Sequence, residues 1–416
     1  MLCQDSAMEN SWKTRARARL ALASVATVLL TTAWAGAPAA AAAAATQGIC
    51  SEQGNYEVCV TYGTPGGPND EGDTLLVRKI KAKVDATADS PQSGDYIRIA
   101  MYAWSNTGEG GRLADALVRA AQRGVSVRVV LGQKHVDPAI VSKLRAANIN
   151  FRQCFKTVDG TPTDTSCMTH PDGRQIGVMH NKFVLIKKGD TKLVMQSASN
   201  LDTKQYQHSQ NMLIVRDDSA LFSAYVNYWR RLYVGNWTWD GVTWGDDDKS
   251  IYGSNDSSRA YFFPQYNKRP LVGVLAGVTE CAPGNDRVWM LASNVDADTV
   301  YIREIADQLK RLRNIGCDVK VLTQDQAHRN NLVVLQGVHA NDVKCDAVNH
   351  NKLLLIDAKY AGQWRKAVFV GSYNLTANSN YNGNDAMLRI IDGWVTNRYI
   401  DLFRALWTKS APVACD

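Results

Sequence analysis

The strongest constraint on this sequence is that it is written twice. The peptides VMHNKFVLI at 178–186 and VNHNKLLLID at 348–357 are nearly the same, and each sets a histidine and a lysine two positions apart before a run of large apolar residues. The likeness extends to both sides. DYIRIAMYAWS from Asp95 resembles DRVWMLASNV from Asp286, and both have the apolar and β-branched content of a buried strand. A helical segment follows in each copy, with Leu113, Leu117 and Ala120 at helical spacing in one and Ile305, Leu309 and Leu312 in the other. Gly124 and Gly316 are placed to end these helices, where a left-handed cap costs little. VSVRVVL or CDVKVLT then supplies a strand, so each copy is predicted to hold a β–α–β unit with parallel strands. Downstream, YQHSQNMLIV from Tyr206 matches YNGNDAMLRI from Tyr381, and YVNYWRRL or YIDLFRAL reads as a closing helix.

The N-terminus has a different character. Lys13, Arg15, Arg17 and Arg19 precede the apolar LALASVATVLLTTAWAGA, and an alanine-rich exit follows. This is the pattern of an export signal, with an apolar part shorter than the ~20 residues of a spanning helix. Removing residues 1–45 takes away four basic and two acidic residues and leaves a net charge of +5. That mild positive balance suits an anionic phosphate substrate and falls short of a dedicated nucleic-acid binder. Of nine cysteines, Cys3 goes with the signal, and the remaining even number in an exported chain predicts disulfides. Cys50 with Cys59 and Cys154 with Cys167 are expected local pairs, while Cys281, Cys317, Cys345 and Cys415 pair within the second half in an order the sequence leaves open. With no C-x-x-C and no zinc-like His–Cys spacing, no metal or other cofactor is expected. The expected layout is therefore an export signal over 1–45, a first repeat over 46–235, a connection over 236–258 and a second repeat over 259–416. Trp237, Trp239 and Trp244 in the connection are expected to pack across the repeat interface rather than meet substrate.

Residues i and i+2 of a strand point to one face, so His350 and Lys352 project together, as do His180 and Lys182. Gly362 marks a turn in the second copy, and the returning strand AVFVGSYN brings Ser372 and Asn374 back beside them. A turn near Gly189 and Asp190 does the same for Ser199 and Asn200. An imidazole, an ammonium and an amide on one patch suit a phosphate: lysine supplies charge, the amide donates hydrogen bonds, and histidine attacks phosphorus or transfers a proton. Two such patches facing each other provide a nucleophile on one side of phosphorus and an acid on the other, which in-line phosphoryl transfer requires.

H-x-K-x4-D followed by G-S-x-N resembles the signature of the phospholipase D superfamily. The second copy carries all of it in His350, Lys352, Asp357, Gly371, Ser372 and Asn374; the first keeps His180, Lys182 and Asn200, with Lys187 in place of the aspartate and Ser197-Ala198 in place of Gly-Ser. The resemblance implies an α/β fold of two pseudo-symmetric α/β/α repeats, each a mixed sheet flanked by helices, with the active site between them. It implies His180, Lys182, Asn200, His350, Lys352 and Asn374 as catalytic residues and Ser199, Asp357, Ser372 and Asp385 as supporting ones. Asp385 stands where the family often has a residue that orients a histidine, and Gln210 is its counterpart. The mechanism it implies runs through a phosphohistidine, commonly on the N-terminal histidine, without metal. His135, His170, His208, His328 and His339 belong to no motif.

For substrate, the expectation is a secreted, monomeric phospholipase D acting on phosphatidyl headgroup esters at a membrane or micelle surface, with no obligate protein partner. A secreted nuclease is the alternative, and a silent phosphate-binding protein a third reading.

Overall fold

The computed structural model describes residues 48–63, 74–168, 177–239, 242–244, 251–253, 257–410 and 415. The expected export signal over 1–45 and His170 lie outside the described residues.

The first half runs β1 (Ile49–Gln53), β2 (Tyr56–Val60), α1 (Leu75–Asp89), β3 (Tyr96–Met101), α2 (Gly108–Gln122), β4 (Ser126–Leu131), α3 (Pro138–Ala146), β5 (Asn150–Gln153), β6 (Phe155–Val158), β7 (Thr161–Asp164), β8 (Lys182–Lys188), β9 (Thr191–Ser197), β10 (Asn211–Arg216) and α4 (Ser219–Val234). After the short strands β11 (Thr238–Trp239) and β12 (Val242–Thr243), the second half begins. It runs β13 (Ile251–Gly253), β14 (Ser258–Phe262), α5 (Pro270–Ala276), β15 (Val278–Glu280), β16 (Arg287–Ala292), α6 (Val300–Asn314), β17 (Asp318–Thr323), α7 (Gln326–Asn330), β18 (Val343–Cys345), β19 (Lys352–Tyr360), β20 (Gln363–Gly371), α8 (Ala377–Tyr381), β21 (Ala386–Ile391) and α9 (Gly393–Lys409).

Both halves build the same mixed sheet. The first has strand order β1-β2-β10-β9-β8-β3-β4-β5 and the second β13-β14-β21-β20-β19-β16-β17-β18, with β15 beside β19. The β–α–β units are as the repeats predict: β3 and β4 pair in parallel across α2, and β16 and β17 across α6. Gly124 and Gly316 adopt φ of 91° and 93°, a conformation that side-chain-bearing residues avoid, and so stop these helices.

Three apolar layers hold the sheets. Two lie on the outer faces, under α1, α2 and α3 in the first repeat and under α5 and α6 in the second. The third lies between the repeats and draws on both sheets and on α4 and α9, including Phe183, Tyr225, Tyr228, Trp229, Leu355 and Phe403. Asp218 and Asp392 cap α4 and α9 by accepting from Leu221 N and Val395 N, which fixes where these two helices enter the central layer. Trp237 and Trp244 are buried in that layer, and Trp244 donates to Pro264 O at 2.8 Å while stacking on Tyr228. Cys50–Cys59 and Cys154–Cys167 are joined, and the four remaining cysteines resolve into Cys281–Cys317 and Cys345–Cys415.

Candidate active site

Lys182 and Lys352 each open the central strand of their sheet, at the carboxyl ends of the parallel strands, with Met101 opposite Lys182 and Ala292 opposite Lys352. There the two repeats exchange backbone hydrogen bonds reciprocally. His180 N donates to Asn384 O at 2.9 Å and Asn384 N to Val178 O at 2.8 Å. His350 N donates to Ser209 O at 3.1 Å and Ser209 N to Val348 O at 2.7 Å. Each histidine is thus stitched to the strand entry of the other repeat, and the residue after that stitch meets its ring. Asp385 follows Asn384, and its Oδ1 lies 2.9 Å from His180 Nδ1. Gln210 follows Ser209, and its Nε2 lies 3.1 Å from His350 Nδ1.

The two rings meet partners of different kinds. His180 Nδ1 faces a carboxylate, so it carries the hydrogen and leaves the Nε2 lone pair for the cleft. His350 Nδ1 faces Gln210 Nε2 and, at 3.1 Å, the ammonium of Lys352. When Lys352 is an ammonium it can only donate, which favours a neutral ring with its hydrogen on Nε2. Asp385 is fixed in turn by Ser372, whose hydroxyl donates to Oδ1 at 2.6 Å. Gln210 has Ala198 where that serine would be, and its Nε2 donates instead to Gln205 Oε1 at 2.8 Å.

Lys182 is fully buried and Lys352 nearly so. Their ammonium groups donate to the carbonyls of His180 and His350, at 2.7 and 2.8 Å. Burial lowers the Lys182 pKa to about 7, and burial with the neighbouring Lys182 charge pulls Lys352 well down. Burial and then Lys182 lower the His180 pKa to about 4 against the opposing pull of Asp385, while burial and Lys352 hold His350 well below the usual imidazole range. Asp385 acts favourably on both lysines. Two buried lysines beside one carboxylate are favoured in their charged form when an anion enters, and a phosphodiester is such an anion.

The remaining expected residues divide. Asn374 Oδ1 accepts from Ser293 Oγ at 3.0 Å, which turns its NH2 end away from Ser293, and Asn200 is buried with an Oδ1 that has no partner among the described residues. Ser199 Oγ is turned to the carbonyl of Asn200, at 2.8 Å. The turn after β19 is centred between Ala361 and Gly362 rather than on Gly362, because Tyr360 pairs with Gln363. The register therefore sets Lys352 opposite Gly371, and Ser372 serves Asp385, and through it His180, rather than His350. Asp357 does not join the cleft. It lies five residues along β19 from Lys352, about 17 Å away at strand rise, beside Arg287 at 3.7 Å and Lys366 at 3.6 Å. Lys187, which replaces the aspartate in the first copy, is likewise remote and donates to Gly94 O at 3.4 Å.

Sequence reasoning missed two site residues. Tyr102 packs edge-on against His180 at 5.2 Å between ring centroids, with Lys182 Nζ 5.3 Å from its ring. Tyr102 follows β3 as Ser293 follows β16, so the aligned strands carried a signal for it. His208 lies 5.6 Å from His350 between centroids. His135 lies 5.1 Å from Tyr102 between ring centroids, tilted by 59°, while His328 is tied to Val295 O and His339 lies 3.9 Å from Asp342.

Among solved structures, polyphosphate kinase from Porphyromonas gingivalis aligns with a TM-score of 0.53 at 15% identity, over 87% of this chain and 52% of that one. The chain thus spans about half the length of that kinase. Phosphatidylserine synthase from Haemophilus influenzae aligns with a TM-score of 0.51 at 11% identity, over 81% of this chain and 86% of that one. At these identities the likeness is one of fold. A search of curated protein sequences returns no match. The family profile described as "Cardiolipin synthase, PLD-like domain" matches residues 89–233 and 289–407, well over half of the chain and both repeats. Duplicated sheets, two H-x-K motifs and this match agree, and the chain belongs to the phospholipase D superfamily of phosphodiester-acting enzymes.

Proposed function

We propose that this protein is an exported phospholipase D-type phosphodiesterase that hydrolyses phosphatidyl headgroup esters through a phosphohistidine and transfers the phosphatidyl group to alcohols. The observation that carries the chemistry is the pair of His180 and His350 around two buried lysines, with a carboxylate behind one ring and an amide and a lysine behind the other. The phosphodiester anion sits between Lys182 and Lys352 and offsets their charge, so His350 becomes an imidazolium while substrate is bound. His180 Nε2 attacks phosphorus, the P–O bond to the headgroup breaks, and His350 protonates the departing oxygen. Water or an alcohol then attacks the phosphohistidine from the vacated side, gives its proton to His350, and the N–P bond breaks.

A lipid surface is favoured by the apolar residues beyond the carboxyl ends of the strands. Val300, Val334 and Leu335 are each more than half exposed. They flank the loop after β16, whose Ser293 holds Asn374 and whose Ala297 O accepts from Gln336. Phe155 and Val158 are exposed on the β6–β7 hairpin beyond β5 in the other repeat. The family description also names a lipid synthase. The export-signal pattern of residues 1–45 and the four disulfides support an oxidising, extracellular setting.

The test is mass spectrometry of products from phosphatidylcholine vesicles, with a primary alcohol and a chelator present and His180→Asn and His350→Asn proteins as blanks. Phosphatidic acid and phosphatidyl-alcohol, absent from both blanks, are the expected result. Cleavage of single-stranded DNA with no lipid product, falling steeply with salt, would replace the lipid reading with the nuclease one.

A further inference from the structure

The residue between histidine and lysine is asparagine in both H-N-K motifs, Asn181 and Asn351, and both are fully buried. Alternation along an extended chain turns this middle residue away from its two neighbours. What the two asparagines bind differs. Asn351 reaches across to the first repeat. Its Nδ2 lies 2.9 Å from Ser209 Oγ and 3.1 Å from Ser209 O, and its Oδ1 accepts from Asn211 Nδ2 at 2.7 Å. Ser209 and Asn211 are the two neighbours of Gln210, whose Nε2 meets His350 Nδ1. The Ser209 carbonyl held by Asn351 also accepts from His350 N. One side chain thus grips the orienting segment on both sides and ties it to the backbone of the histidine it serves.

The other half-site is held differently. Asn181 Nδ2 donates to Tyr228 Oη at 3.1 Å, its Oδ1 has no partner among the described residues, and Ala386 stands where the first repeat has Asn211. There the orienting side chain is itself gripped: Ser372 Oγ donates to Asp385 Oδ1 and accepts from Ala386 N at 3.1 Å. The matching Ala198 can give Gln210 no such grip, and Gln210 Oε1 is buried with no partner among the described residues. The half-site without the serine is the one with the asparagine clamp.

We propose that Asn351 is a positioning residue for His350. Together with Asn211 it holds the chain on either side of Gln210, and so aims that amide at the ring, as Ser372 aims Asp385 in the other half-site. Fully buried between the repeats, Asn351 acts only through these neighbours. Each buried donor or acceptor left unpaired is costly, so bonds on both sides of Gln210 select one position of the segment. Without them Gln210 and the His350 backbone lose their register, and the acid loses its aim while the nucleophile keeps its own. This rests on the two-histidine phosphodiesterase reading above, with His350 as the acid.

The experiment breaks the clamp and then supplies the missing serine. The full chain and its Asn351→Leu, Asn211→Ala and Asn351→Leu/Ala198→Ser variants are assayed with bis(4-nitrophenyl) phosphate by stopped flow, and calorimetry reads the Tm of each. In Asn351→Leu the nitrophenolate burst should keep its size and rate, because this leaving group departs without an acid. Steady-state kcat should fall about 10-fold or more, with little change in KM. Ala198→Ser offers Gln210 Oε1 a donor and should recover part of that rate. Asn211→Ala installs the residue that the other repeat carries at this place, and covers the case in which Asn351→Leu does not fold. It should lower kcat by less, again with the burst intact. Burst and turnover falling in the same ratio in either variant would mean a loosened interface and overturn the proposal. So would an Asn351→Leu kcat equal to the parent's, or one that Ala198→Ser leaves no faster. Turnover that survives His180→Asn, or no turnover by the parent, would instead overturn the phosphodiesterase reading and this proposal with it.

Discussion

At His180, the inner ring nitrogen meets a carboxylate sent from the second repeat; at His350, the equivalent nitrogen meets an amide sent from the first repeat and an ammonium from its own strand. Both rings stand two residues before the same kind of strand, at the same end of the same sheet order. The difference lies in a handful of side chains at matched positions: Asp385 against Gln210, Ser372 against Ala198, Tyr102 against Ser293, Gly383 against His208. In the proposed mechanism the nucleophile needs a free lone pair and a partner that tolerates the positive charge it acquires when it bonds to phosphorus, and Asp385 suits both needs at His180. In the proposed mechanism the acid needs a proton on the cleft-facing nitrogen, and behind His350 stand an amide and a lysine in place of a carboxylate. The comparison teaches that a repeated scaffold fixes where two imidazoles stand, while their immediate neighbours decide what each one does.

The largest effect expected from breaking this asymmetry is at the histidines themselves. His180→Asn removes the nitrophenolate burst from an activated aryl phosphodiester. His350→Asn keeps the burst, because so good a leaving group departs without an acid, but loses turnover by about 10²–10⁴-fold. Equal loss of the burst in both would erase the distinction between the half-sites.

Next in size is the pair of orienting residues. Asp385→Asn offers His180 a group that can present a donor in place of a pure acceptor, so kcat should fall about 10²-fold or more, with a smaller change in KM. Gln210→Ala should cost less, since Lys352 still contacts His350 Nδ1 at 3.1 Å. Comparing kcat and KM of the two proteins at one pH checks the order.

The lysines give a smaller effect of opposite sign, on stability. Because burial holds the Lys182 pKa near 7 rather than its ordinary 10.5, the unfolded chain binds more protons between those values, and stability rises with pH across that window. Lys182→Met should abolish activity yet stabilise the unliganded protein, by about 1 kcal/mol or more, and flatten the rise. Tungstate or phosphate should raise the Tm of the parent and not of the variant. Scanning calorimetry from pH 7 to 10 reads all three.

Smallest of all is Asp357→Asn. Its partners Arg287 and Lys366 stand 3.6 to 3.7 Å away at a partly exposed sheet end, so the expected cost is under about 1 kcal/mol with kcat unchanged. A kcat loss as large as that of Asp385→Asn would place the motif's aspartate in the chemistry after all.

Much of this architecture was legible because it is repetitive. The β–α–β units, the closing helices and the glycine stops follow from periodicity that the chain displays twice, and hairpin arithmetic set the asparagines within one residue of their positions. What the sequence hid was which repeat serves which histidine. Asp385 and Ser372 follow the second motif in the chain, so linear reasoning gives them to His350; only the exchange of backbone bonds at Asn384 and Ser209 hands them to His180. Asp357 misled for a related reason. Five residues of extended strand carry it to the far end of the sheet, a displacement that a motif written in one line conceals. His208 carried no motif signal, and it comes beside the site only by facing a ring 142 residues further along.

The reciprocal stitching has one more consequence. If this cleft were assembled from two copies of a single repeat, rotational symmetry would force the same side chain into both orienting positions, and any substitution that improved one histidine would be imposed on the other. Joining the copies in one chain removes that constraint. Each repeat carries the residue that tunes its neighbour's histidine, so the two can specialise by independent point changes, and a change in one repeat is felt first as chemistry in the other.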